Sequence, residues 1–282
     1  MSGDIAILMR SHNDAAFVRA TLQAFFSQQC DLPFTVYSCD DGSDDGTGDL
    51  IGGFPAVRRI PRPDGPYFPG RTLNWMVRHC SQEYVVFNNA DATPADSAWL
   101  RELTAPLVRG EAEASFANQL PRPDALCTVR RDHARAFGDG RISARWPFFF
   151  SLASSATRRD LLLAHPFDES YRYSEDVEWA RRCAPRRRYC PDARVMHSHN
   201  YPLDALYRRF YGEGYAEGQM GSAAPSWWRT AAAALCEAGR DALYLLHYPT
   251  AWREMAAAVP RRWVQKSAFR SGVLAAIRER RS

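Results

Sequence analysis

The stretch "IAILMRSHNDAAFVRATLQAFFSQQCDLPFTVYSCDDGSDDGT", Ile5 to Thr47, decides the fold class. Residues 5–9 and 34–38 are short apolar runs with the composition of buried strands. Between them Phe17, Leu22, Phe25 and Phe26 approximate one face of a helix. This is a βαβ opening, and the alternation continues with a strand at 57–60, a helix at 72–79, a strand at 84–88 and a helix at 96–107. The pattern predicts an α/β fold built on a mostly parallel sheet flanked by helices.

Ligands bind such sheets beyond the carboxyl ends of the strands. Three polar clusters fall there: "RSHND" (Arg10 to Asp14), "CDDGSDDGT" (Cys39 to Thr47) and "NNADATP" (Asn88 to Pro94). Each could be a turn in its own right, since Asn, Asp, Gly and Ser favour turns, but their coincidence at strand ends is a signal. Asp91 in particular could hold a divalent cation against an anionic ligand, or could simply cap the helix that follows.

After Pro121 the pattern changes. "PRPDALCTVRRDHARAFGDGR" reads as a polar, partly helical and mobile connector, followed by a helix near 157–165, an acidic helix start in "YSEDVEWARR" and a strand ending in "ARVMHSHN". From Leu203 onward helices dominate, and Pro260 is expected to divide the last of them.

At 282 residues and 46% hydrophobic content the chain can bury a sizeable core, so disorder is not expected. Its seven cysteines are dispersed and never spaced as CxxC, which supports neither a disulfide framework nor a zinc ribbon and fits a reducing cytosol. The opening residues carry no basic segment followed by a long apolar one, and no run of about 18 apolar residues occurs, so a cytoplasmic, soluble or peripheral protein is expected. Residues 252–282 hold eight basic and two acidic side chains against a formal net charge of +4, leaving the rest slightly acidic. With the excess basic residues terminal and the candidate cleft acidic, nucleic-acid binding is not expected.

Six ordered motifs resemble one family. "ILMRSHNDAAFVRATLQAFFSQ" is similar to the opening strand, turn and first helix of the family 2 inverting glycosyltransferases of the GT-A fold, with Arg10 and His12 departing from the usual residues. "CDDGSDDGT" resembles that family's Asp-Asp-Gly-Ser turn, and "FPGRTLNWMV" its Gly-Arg-x-Leu-Asn segment. "NNADATP" occupies the place of its Asp-x-Asp metal motif, "YSEDVEW" that of its acceptor-side Glu-Asp pair, and "VMHSHNY" that of its later His motif. The resemblance covers roughly residues 4–215; "DATPADSAWL", "NQLPRPDA" and "VMHSHNY" are most similar to a bacterial rhamnosyltransferase-like branch, which suggests polysaccharide biosynthesis.

The resemblance implies a GT-A catalytic domain over 1–215, with a donor half to about 120, an acceptor half over 121–215, and a helical C-terminal extension over 216–282. It implies transfer of a hexose or deoxyhexose from a nucleoside diphosphate sugar to a hydroxyl of a saccharide, lipid-linked or secondary-metabolite acceptor. Nucleotide-sugar contacts fall to Arg10, Ser11, Asp14, Asp40, Asp41, Arg71, Asn74, Asn89 and Asp91; Asp14 could equally cap the first helix. Asp91 and His197, with His199 as the alternative, would bind Mn²⁺ or Mg²⁺. An inverting transfer also needs a base, for which Asp176 comes first and Glu175 second, although both could merely stabilise a helix N-terminus.

Alignment on Pro94 puts Asn89 where the family has its first acid and leaves Ala92 uncharged. This departure keeps open a degenerate nucleotide-sugar-binding or scaffold protein. The tail interleaves Trp252, Trp263, Phe269 and Leu274 with Arg253, Arg261, Arg262, Lys266 and Arg270. That composition suits peripheral contact with the inner face of a membrane, or packing on protein, including a homodimer.

Two motifs are set aside. "DGSDDG" imitates a calcium loop from Asp41 but has Gly52 where the bidentate Glu belongs. "GEGYAEG" misses GxGxxG and opens no βαβ unit. The pair Trp227 and Trp228 is expected to be core or interfacial, without a catalytic role.

Overall fold

The computed structural model describes residues 3–248 and 252–281; the side chains of Trp252 and Arg253, two of the tail residues named above, lie outside what is described. The chain divides into two compact units. The first holds residues up to Arg122, Arg135–Ser170 and Glu175–His197; the second holds Pro123–Ala134, Tyr171–Ser174 and Ser198 onward.

The first unit is built on strands β1 (Ile5–Ser11), β2 (Phe34–Asp40), β3 (Arg58–Arg59), β4 (Tyr84–Asn89), β5 (Thr93–Pro94), β6 (Ala114–Leu120), β7 (Ser154–Arg158) and β8 (Arg187–Met196). They form one sheet of eight strands in the order β3-β2-β1-β4-β7-β6-β8-β5. β1 pairs in parallel with both β2 and β4, and β6 with β8, while β7 runs antiparallel to β4 and β6.

Successive residues of β1 point to opposite faces, and both faces are covered over Ile5–Met9, so that part of the strand is apolar throughout. Ile5, Ile7 and Met9 pack with Leu22 and Phe25 of α1 (Val18–Phe26) and with Trp99 and Leu103 of α4 (Trp99–Val108). Ala6 and Leu8 pack on the other side with Leu73 and Met76 of α3 (Pro69–Arg78), and with Phe87, Phe150 and Trp179. Helix α2 (Thr47–Gly52) follows β2.

Three local expectations are corrected. Phe26 is exposed and stacks on Phe54; the buried face of α1 is completed by Thr21, whose hydroxyl meets that of Thr93 at 2.8 Å. The helix expected near 157–165 is present but shorter, as α6 (Arg159–Ala164), because residues 157 and 158 end the strand β7. Ser154, Ser155, Ala156 and Thr157 are fully buried in mid-sheet, and such small residues show no apolar alternation in sequence. The connector after Pro121 is anchored as well as helical: α5 (Cys127–Ala136) buries Arg131.

The second unit consists of α8 (Leu203–Gln219), α9 (Trp227–Leu245) and α10 (Trp252–Glu279), with the greater part of α5. Here "GEGYAEG" is a packing seam: a Cβ on Gly214 would collide with the Phe269 carbonyl, and one on Gly272 with that of Tyr211. Only glycines let the backbones of α8 and α10 come so close.

Pro260 lies inside α10 and does not divide it. The hydrogen bond it removes is offset by burial along the helix, where Ala258, Ala268, Val273 and Ala276 are in the core. Arg262, one of the basic residues of the tail, is buried: it donates to Asp241 (2.6 and 2.8 Å) and to Asp132 (2.7 and 2.8 Å). Arg131 donates to Asp241 and to Glu237, each at 2.7 Å, so the cluster joins α5, α9 and α10. Neither Trp227 nor Trp228 is core, since both are exposed. No described helix is long and apolar enough to cross a membrane.

Candidate functional site

The register of the three parallel strands assembles the site. Ser11 lies opposite Asp40 on β2, and Arg10 opposite Asn89 on β4, so the polar clusters that are far apart in sequence converge at one sheet edge. Asp40 accepts hydrogen bonds from the Ser11 hydroxyl (2.8 Å) and from the Ser43 hydroxyl (2.6 Å) and backbone N–H (2.9 Å). Burial works to raise its pKa, but these donors together hold it below the usual carboxylate range. Asp41 pairs with Arg62 at 3.5 Å.

Asp45 accepts from the Ala15 N–H (2.9 Å) and from the Thr47 hydroxyl (2.6 Å), so this acid of the calcium-like stretch stitches two loops together. Asp14 makes no side-chain cap for α1. Its carboxylate takes the His12 N–H at 2.9 Å, while its backbone carbonyl accepts from Phe17 and Val18. Burial, followed by the charges of Asp91 and Asp45, raises its pKa to about 6 despite the His12 hydrogen bond.

Asp91 sits in a tight turn after β4. The turn is held by buried Asn88, whose amide donates to the Asn89 carbonyl (2.8 Å) and the Ala92 carbonyl (2.7 Å). Arg122 donates to the Asp91 carbonyl and lies 3.9 Å from the centroid of the Phe17 ring. The Asp91 carboxylate faces His197 Nε2 at 3.5 Å.

Gln119, near the end of β6, fixes that histidine. Its amide nitrogen donates to Ser151 Oγ (2.8 Å), so its oxygen accepts from His197 Nδ1 (2.8 Å). In a neutral ring this tautomer turns the Nε2 lone pair towards the Asp91 oxygen. Two acceptors at that distance need a proton or a cation between them. Two oxygen or nitrogen atoms at ~2.1 Å from one cation, in adjacent octahedral positions, stand about 3 Å apart, so the pair fits a divalent metal ion.

Arg10 links the donor-side strands to α7 (Glu175–Cys183). It donates to Asn89 Oδ1 (3.1 Å), Glu175 Oε1 (3.4 Å) and the Tyr67 hydroxyl (3.4 Å). Asp176 lies next to this pair with its carboxylate on the Val177 N–H at 2.8 Å. Burial and then the Glu175 charge raise its pKa to about 7, against the opposing pull of the Val177 and Leu152 N–H groups and of Arg10. A carboxyl group poised there can both hold and release a proton near neutrality.

Arg10, Ser11, Asp14, Asp40, Asp41, Asn89 and Asp91 are therefore carried on the carboxyl ends of these three strands or on the turns that follow them, Glu175 and Asp176 on the start of α7, and His197 directly after β8. Arg71 is half-buried beside the Gly65 turn. Asn74 is committed elsewhere: its amide donates to the Phe167 carbonyl (2.9 Å) and Glu169 (3.0 Å) and accepts the Phe167 N–H (2.9 Å). His199 belongs to the second unit, stacked on Tyr201. Gln119, Arg122 and Asn88 escaped the sequence reading of the site. The first two lie in "NQLPRPDA", a motif whose signal was present but carried no assigned role.

Comparison with known proteins agrees with this architecture. The model of the family described as "Glycosyl transferase family 2" matches residues 6–163. None of the curated proteins matches the sequence. Among solved structures, a mannosyltransferase from Pyrobaculum calidifontis, in complex with GDP-Man and Mn²⁺, superposes with a TM-score of 0.65 at 17% identity, covering 99% of this chain and 88% of that one. Glucosyl-3-phosphoglycerate synthase from Mycobacterium tuberculosis gives a TM-score of 0.54 at 20% identity, covering 72% of this chain and 75% of that one. TarS from S. aureus gives 0.53 at 14% identity, covering 82% of this chain and 42% of that one. At these identities the likeness is one of fold.

Proposed function

The chain belongs to glycosyltransferase family 2, and from that premise we propose that it transfers a hexose or deoxyhexose from a nucleoside diphosphate sugar to a hydroxyl group, with inversion at the anomeric carbon. The acceptor class is a saccharide, a lipid-linked sugar or a secondary metabolite. The observation that carries this reading is Arg10, which bridges Asn89 at the donor-side sheet edge to Glu175 beside Asp176. That bridge supports a division of labour in which Glu175 pairs with Arg10 while Asp176 takes the proton.

In the proposed transfer the acceptor oxygen attacks the anomeric carbon from the face opposite the diphosphate, and its proton passes to the Asp176 carboxylate. The bond from the anomeric carbon to the diphosphate oxygen breaks, and its electron pair leaves on that oxygen. Arg10, bonded to Asn89, and Arg122, bonded to the Asp91 carbonyl, would offset the negative charge that develops on the leaving group. Asp91 and His197 would hold Mn²⁺ or Mg²⁺, with His199 as the alternative ligand; the bound ion would supply further positive charge to the diphosphate. The Pyrobaculum mannosyltransferase, in complex with GDP-Man and Mn²⁺, lends support to such a pairing of donor and cation.

A panel of nucleoside diphosphate sugars, screened for thermal stabilisation with and without Mn²⁺, identifies the donor. With that donor, Asp176→Asn should lower turnover about 10²–10⁴-fold while donor affinity survives. Near-normal turnover in Asp176→Asn, together with loss in Glu175→Gln, would move the base to Glu175. A donor that binds without any turnover by the wild type would favour the competing reading of a nucleotide-sugar-binding protein, which rests on Asn89 and Ala92 standing where acids are usual.

A further inference from the structure

Tyr67 stands beside Arg10 at the end of β1, on the segment that joins β3 to α3, and is 42% exposed. The segment is stiffened by Pro61, Pro63 and Pro66 and turns at Gly65, whose φ of +87° favours glycine. The Trp75 indole N–H holds its start through the Pro61 carbonyl (2.8 Å), and Arg62 pairs with Asp41 (3.5 Å). Tyr67 is thus held in place while its side chain stays open to a ligand.

The hydrogen bonds of Arg10 fix what its neighbours have left to offer. A guanidinium only donates, so it occupies an acceptor atom on each of them: the Tyr67 hydroxyl oxygen at 3.4 Å and Asn89 Oδ1 at 3.1 Å. The Tyr67 hydroxyl proton and the Asn89 amide N–H groups are left to donate elsewhere, and among the described residues neither has an acceptor. Glu175 takes the same Nη1 of Arg10 at 3.4 Å. The charge of Arg10 is therefore matched within the protein, and what remains on this side is a pair of hydrogen-bond donors.

We propose that the Tyr67 hydroxyl and the Asn89 amide, both oriented by Arg10, form a donor-only site for the diphosphate of the nucleotide sugar. The inference rests on the transfer reaction proposed above. Phosphate oxygens only accept hydrogen bonds, whereas each sugar hydroxyl also brings a proton, for which this pair offers no acceptor. The same accounting gives the departure at position 89 a use: an acid there would turn a carboxylate oxygen towards the phosphates where the amide presents N–H. The site needs no metal, so its contribution is separable from that of Asp91 and His197.

The test is calorimetric titration of the full chain with UDP, GDP, ADP, CDP and dTDP, in EDTA and again with Mn²⁺. The wild type should bind one of them in EDTA. Tyr67→Phe keeps the ring and removes only the hydroxyl; it should weaken that binding about tenfold or more, as expected for one hydrogen bond to a charged group, and should melt as the wild type does without ligand. Asn89→Asp should weaken binding in EDTA at least as much, because it replaces N–H donors with a negative charge beside the phosphates. Tyr67→Phe that binds the diphosphate as the wild type does, or Asn89→Asp that binds it in EDTA as tightly as the wild type, overturns the proposal. A loss in Tyr67→Phe seen with the nucleotide sugar but not with its nucleoside diphosphate also overturns it, and moves the contact to the transferred sugar. Wild-type protein that binds a diphosphate only with Mn²⁺ overturns the donor-only site and leaves the transfer reaction standing, whereas binding to none of the five in either condition sinks both.

Discussion

Asp176→Asn should stabilise the protein, and only above a particular pH. In the folded chain burial, followed by the charge of Glu175, raises the Asp176 pKa from its ordinary 3.8 to about 7. Between those two values the folded state binds the proton that the unfolded state has released. The contribution to stability is thus fully present below pH 3.8 and is lost as pH rises through about 7. The displacement corresponds to on the order of 4 kcal/mol, at ~1.4 kcal/mol per pH unit.

Asparagine mimics the neutral acid at every pH, so wild type and variant should unfold alike at about pH 4 and diverge until about pH 7, with the variant the more stable. Urea titrations of both proteins across that range measure the gap, and Glu175→Gln, which removes the second cause of the shift, should close part of it. Wild-type turnover should rise through about pH 7 as the carboxylate forms. A stability gap that does not change with pH would refute the assignment of a proton to buried Asp176.

Asp91→Ala and His197→Ala should each abolish the Mn²⁺- or Mg²⁺-dependent part of donor affinity, measured by calorimetry, and Gln119→Leu should weaken metal binding about 10–100-fold by releasing the histidine ring. An unchanged titration in Asp91→Ala sinks that ligand, and a loss confined to His199→Ala transfers the role to the alternative histidine. Asp241→Ala leaves Arg131 and Arg262 buried without their shared carboxylate and should cost about 3–5 kcal/mol in urea unfolding. An unmoved midpoint would mean that the cluster contributes little. Gly214→Val forces α8 away from the Phe269 carbonyl and should lower stability by about 1–3 kcal/mol or more; an unaltered thermal melt would argue against the glycine seam.

The βαβ opening and the strand-end clusters were legible in the chain because they are carried by local periodicity and turn chemistry, and the GT-A fold was legible through the resemblance of the ordered motifs to a known family. A strand covered on both faces, as β1 is over Ile5–Met9, must be apolar there, and its exposed end, Arg10 and Ser11, can be polar. Asp40 and Asp91 could be picked out because each ends an apolar run, whereas the Glu175–Asp176 pair was picked out through the family resemblance. Strand β7 was not legible, because Ser154, Ser155 and Thr157 are buried by their neighbours and not by their own hydrophobicity. The uses of Arg10, Gln119 and "GEGYAEG" depended on partners 165, 78 and 55–61 positions away: Glu175, His197, and the Phe269–Gly272 stretch against Tyr211 and Gly214. Periodicity states which side of an element is buried. It does not state what stands opposite, and for a guanidinium, an amide or a glycine the opposite group determines whether the residue binds, orients a neighbour or simply makes room. Only the tertiary structure supplied those partners.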